Sequence, residues 1–117
     1  MTKEYEYASV DDLLIDDVTD NTVDVTLTTG GVVKVRGMSR MELMLTRKGG
    51  VDDPAEIERR MLSFCMIYPK MSINQVKAWQ EATAPMVIAP VTEAVRRLSG
   101  LGDDADKSDV PELRGES

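Results

Sequence analysis

The 117-residue chain has no histidine, a single cysteine, only five aromatic side chains and no apolar run approaching a membrane span. Each shortage excludes something. Without histidine, the common zinc ligand sets and any imidazole general base are gone. One cysteine cannot close an intramolecular disulfide, and the place of Cys65 between Phe64 and Met66 in a helical run predicts a buried core thiol. A membrane helix needs about 20 consecutive apolar residues. The N-terminus, Met1-Thr2-Lys3-Glu4-Tyr5-Glu6, lacks the basic and apolar regions of a secretory signal. Basic residues are short as well. Fourteen Lys and Arg face 21 Asp and Glu, a net charge of −7, which argues against nucleic acid or an anionic membrane as a general partner. The expectation is a cytosolic, reduced protein.

The charge is unevenly placed. Residues 1–20 hold seven acids and Lys3, a net of −6, and residues 103–117 hold six acids and two bases, a net of −4. Residues 21–102 are therefore left with +3. This division suggests an acidic N-terminal arm over 1–20, a folded domain over 21–101, and an acidic tail over 102–117 too polar to offset the entropy of ordering, hence predicted disordered.

Within the middle, residues 23–29 and 32–36 alternate apolar and polar side chains around Gly30-Gly31, which signals a β-hairpin. A three-residue loop, Thr29-Gly30-Gly31, sets Leu27 against Val33 and Val25 against Val35, and points Lys34 and Arg36 away from the core. Helix starts follow. Ser39-Arg40-Met41-Glu42 is a capping box with Met38 and Leu43 at the staple positions, Asp53-Pro54 is a cap followed by a first-turn proline, and Ser72 with Gln75 repeats the box with Met71 and Val76 as staple. Ile88, Val91, Val95 and Leu98 mark a last helix that ends at Gly100, where Leu101 folds back in a Schellman-type cap. Pro90 either starts this helix or lies within one beginning near Pro85. The reading is mainly α with an N-terminal β-hairpin, an α+β domain of about four helices at 39–48, 54–67, 73–83 and 86–99. Val10, Leu13 and Leu14 hint at a short helical turn ahead of the hairpin, with Asp11 and Asp12 in it.

No catalytic constellation stands out. The adjacent acid pairs Asp11-Asp12, Asp16-Asp17, Asp52-Asp53 and Asp103-Asp104 point to different faces and lack the further ligands of a calcium loop. The glycine pairs read as turns, and neither a cofactor nor a metal is expected. Residues 58–83 superficially resemble a helix-turn-helix, yet Lys77 is the one base between residues 72 and 84, balanced by Glu81. The methionines are more suggestive, because their flexible side chains fill irregular cores and also make adaptable surfaces for apolar partners. A candidate partner groove comprises Met41, Met44, Leu45, Met61, Met66, Val76 and Trp79, with Trp79 readable as core filler or exposed anchor.

The order of these signals resembles the tail assembly chaperones of long-tailed, siphovirus-type phages, especially those of actinobacterial hosts. The resemblance rests on Asp11-Asp12-Leu13-Leu14, Asp16-Asp17, Val23 and Val25, Gly30 through Gly37, and the capped Met38-Ser39-Arg40-Met41-Glu42. It continues through Asp53-Pro54, Arg59-Arg60-Met61-Leu62, Tyr68-Pro69, Ser72 to Trp79-Gln80, Val91 to Val95 and Leu98 to Leu101, covering roughly residues 10–101. It implies a non-enzymatic, non-virion protein of the host cell cytoplasm. Such a protein binds the tape measure protein, keeps it soluble and passes it to the tail tube protein, often alongside a frameshifted longer form of itself. Two rival classes stay open on the residues alone: a small acidic phage inhibitor or nucleic-acid mimic acting on a host protein, and a helix-turn-helix regulator.

Overall fold

A computed structural model describes residues 6–14 and 20–101. The alternating segments form strands β1 (Thr22–Thr26) and β2 (Val32–Arg36), paired antiparallel with Val25 opposite Val33 and Val23 opposite Val35. The expected face is preserved, but the register is offset by two residues from Val25 opposite Val35. The turn explains the offset. Leu27 donates to the Gly31 carbonyl at 2.7 Å, and Gly30, at φ 106°, donates back to the Leu27 carbonyl at 2.9 Å. The loop is therefore Thr28-Thr29-Gly30, with the left-handed position at Gly30. Sliding a three-residue loop by one position moves the register by two and leaves every side chain on its face.

A third strand, β3 (Met66–Tyr68), was not foreseen; it pairs antiparallel with β2 and completes a sheet of order β1-β2-β3. The reading extended the helix of 54–67 through this segment. Tyr68 precedes Pro69, which disfavours the helical region there, and pairing Met66 with Val35 satisfies the open edge of β2. The Tyr68–Pro69 peptide is cis.

Five helices complete the described residues: α1 (Val10–Leu13), α2 (Arg40–Leu45), α3 (Pro54–Cys65), α4 (Ile73–Ala82) and α5 (Pro85–Leu98). The domain is α+β, as expected: the four anticipated helices form as α2 to α5, the hinted turn at Val10 to Leu13 forms as α1, and β3 is one strand more than anticipated. The Ser39 and Ser72 capping boxes form, and Asp53 caps α3 by accepting from the Ala55 amide. α5 runs from Pro85 through Pro90 and closes in a Schellman turn, Leu101 donating to the Arg96 carbonyl at 2.7 Å with Gly100 at φ 80°. Because β3 and Pro69 lie between α3 and α4, their connection is not the short turn of a helix-turn-helix.

Helices pack against the face of the sheet that carries Val33, Val35 and Met66, with α5 across β1 and β2, and α3 touching α2, α4 and α5. Leu62, Cys65, Val76, Val91 and Val95 are fully buried at the centre of this core. The C-terminal end of α5 is clamped by the chain around it. Met38 donates to Ser99 Oγ at 2.8 Å, Asn21 donates to the Leu98 carbonyl at 3.5 Å, and Gly37 lies so close to Leu98 that a Cβ there would sit 2.8 Å from the carbonyl oxygen. No helix among the described residues is long and apolar enough to cross a membrane. The expected tail over 102–117 lies outside the described residues, as do Asp16-Asp17 and Asp103-Asp104.

Candidate functional site

The candidate groove is built around α2, a helix of six residues held at its start by Ser39 and Glu42 and at its end by buried Thr46, whose hydroxyl donates to the Leu43 carbonyl at 2.6 Å. Met38 precedes the helix and turns into the core, while Leu43 packs against the core from within it. The remaining apolar side chains of the helix face outward. Met41 is 62% exposed and Met44 54%, and half-buried Leu45 lines a shallow cleft with Phe64 and Ile73.

The seven predicted groove residues do not form one surface. Met61, Met66 and Val76 are core, with exposures of 5%, 1% and 0%. Met61 sits on the inward stripe of α3, Met66 lies on β3 beside Val35, and Val76 is the buried residue of α4. Residue type groups them with the exposed methionines, and a flexible apolar side chain suits a core as well as a partner surface, so type is silent on which way each one faces. Half-buried Trp79 lies elsewhere, lining an apolar cleft of about 280 Å³ with Leu27, Val33, Pro69 and Met71. The structure thus offers two separate apolar places: the outer side of α2, and the Trp79 cleft between the hairpin and α4.

Polar clasps hold these places in position. Arg36 projects from β2 under α2 and donates to both carboxylate oxygens of Glu42, at 2.9 and 2.8 Å, and also to the Phe64 carbonyl at 2.9 Å. It points away from the core, as expected, and on that side it is covered by α2 and the end of α3. The Arg36 hydrogen bonds keep the Glu42 carboxyl below its ordinary value, with the Ser39 amide adding to the effect. Arg60 ties the end of α2 to α3 by donating to the Lys48 carbonyl at 2.9 Å and to Glu56, and Arg59 also pairs with Glu56. The hydrogen bonds from Arg60 and the neighbouring Arg59 charge lower the Glu56 carboxyl. Gln80 on α4 donates to Glu58, which also accepts from Thr92 on α5, so three helices meet at one carboxylate. Sequence reasoning missed these clasps, whose partners lie up to 34 residues apart.

Cys65 is buried and its thiol is pushed up to about 12 by desolvation, as a core thiol should be. Asp53 and Asp12 serve as helix-capping groups. Among the described residues no group of three or more Cys, Asp or Glu side chains is placed to hold a metal ion. No family model matches the chain, and no curated protein or solved structure does.

Proposed function

We propose that the chain is a tail assembly chaperone of a long-tailed phage, which binds the tape measure protein in the host cytoplasm, keeps it soluble and delivers it to polymerising tail tube subunits. The observation that carries this reading is the exposure of Met41 and Met44 side by side on α2, beside the half-buried Leu45. Methionine is unbranched and polarizable, so a pair of them re-packs against different apolar neighbours at little cost. A long helical client presents its apolar stripe in many registers, and helix-in-groove recognition of such a client favours a surface of this kind. The Trp79 cleft supplies a second apolar contact. The ordered motifs of the family resemblance supply the identity of the client.

The test is co-expression with the tape measure protein encoded by the same phage. Soluble tape measure protein should rise when the chain is present and fall again with a Met41→Ser/Met44→Ser variant. Both side chains are exposed, so the variant's thermal unfolding should match the wild type. A client that is equally soluble with wild type, with variant and with no chaperone would refute the reading.

A further inference from the structure

Two features of the fold complement each other, the second of them sharing Met44 with the proposed client surface. The first is the arm at residues 6–14. Ser9 and Asp12 cap α1 reciprocally, so the turn is locally built, and Val10, Leu13 and Leu14 fall on one face of it. They are between 70% and 75% exposed, an apolar stripe that the chain's own fold does not cover, and Tyr7 just ahead of the helix is 89% exposed. Glu6, Asp11 and Asp12 give the stripe an acidic border. The second is a cleft of about 420 Å³ between α2 and the last turn of α5, with Leu43, Met44 and Leu101 as its apolar surface and Arg40, Arg47 and Arg96 around it. An apolar floor rimmed by guanidinium groups suits an acidic amphipathic segment.

The arm's point of attachment lies at the same end of the domain as the cleft. The arm joins the sheet at Asn21, whose side chain reaches the Leu98 carbonyl, and the cleft is lined three residues further on by Leu101. A two-fold axis at that end lets each copy's arm enter the other's cleft, so the exchange closes at a dimer. We propose that two copies of this chain exchange their N-terminal arms, with Val10, Leu13 and Leu14 of each copy seated in the Arg40–Arg47–Arg96 cleft of the other. Charge complementarity between a −6 segment and a +3 domain favours the pairing.

Sedimentation equilibrium of the full chain tests the exchange. The wild type should show a reversible monomer–dimer equilibrium that weakens with salt. Leu13→Asp/Leu14→Asp and Arg40→Glu/Arg47→Glu should each weaken association by at least about tenfold, while circular dichroism stays unchanged because all four side chains are on the surface or rim. An equimolar mixture of the two variants restores one arm–cleft contact of the two, so the mixture should dimerise where neither variant does alone. A strictly monomeric wild type would overturn the proposal, since six residues, 15–20, can reach about 20 Å and permit docking within one chain. So would dimers insensitive to either variant, or dimers lost on removing residues 102–117 with the arm intact. A monomer that still solubilises the tape measure protein refutes the exchange and leaves the chaperone reading standing.

Discussion

Arg36 offers the sharpest test of how the sheet and helices are joined. Its guanidinium makes two parallel hydrogen bonds to Glu42 and one each to the Phe64 and Gly37 carbonyls, all between 2.8 and 2.9 Å. The two side chains are 19% and 22% exposed, sheltered enough for the pair to matter and wet enough to limit the cost of desolvation. Glu42→Gln keeps the capping-box geometry, because Gln serves at that position, but removes the charge and one acceptor. The expected loss is about 1–2 kcal/mol. Arg36→Met removes all four bonds and leaves the carboxylate without its cation, a loss of about 3 kcal/mol. With both changed, the second costs little beyond the first, so the double-mutant cycle should show a coupling of about 1–2 kcal/mol. Urea unfolding at pH 7 measures all three differences.

The same variants fix a pH dependence. Glu42 has a lowered pKa in the folded state, so its contribution is fully present above its ordinary value of 4.5 and is lost as pH falls through the folded value. The stability gap between wild type and Glu42→Gln should therefore narrow as pH drops below about 4.5, with Glu56 present in both and cancelling. Additive single effects, or a gap constant down to pH 3, would show that Arg36 and Glu42 are neighbours without being partners.

Three further outcomes follow from the packing. Gly37→Ala places a methyl group 2.8 Å from the Leu98 carbonyl, a contact with backbone, and should cost about 1–3 kcal/mol in urea unfolding. Leu62→Ala empties a fully buried site on α3 and should cost about 2–5 kcal/mol by the same measurement. Cys65, buried and with its thiol pushed up to about 12, should resist a thiol reagent at pH 8 and react at the rate of unfolding; rapid labelling of the native protein would contradict its burial.

Helix starts were legible in the sequence because a cap is a local bargain between residues three apart. Ser39 with Glu42, Ser72 with Gln75, and Asp53 before Pro54 all form as the spacing predicted. The Schellman turn at Gly100 was legible for the same reason. What escaped depended on distant neighbours. β3 exists because β2 has an open edge for Met66 to join, and the local pattern of Phe64 to Ile67 continues a helix equally well. Arg36 was placed on the correct face of its strand, but nothing nearby in sequence shows that Glu42 and the Phe64 carbonyl arrive over that face.

The candidate surface divides along the same line. Spacing placed Met41 and Met44 together, and being neighbours on a six-residue helix they could not be separated by the fold. Met61, Met66 and Val76 belong to three different elements, and only the packing of α3, β3 and α4 decides that all of them face inward. The arm makes the converse case. Its acids dominate the composition of residues 1–20 and suggest a merely solubilising segment, yet Val10, Leu13 and Leu14 form one apolar face that composition averages away. An acidic segment that only solubilised would gain nothing from that face, which exposes three aliphatic side chains to water. The stripe is therefore better understood as one half of a contact, and the cleft rimmed by Arg40, Arg47 and Arg96 has the charge and apolar floor to be the other.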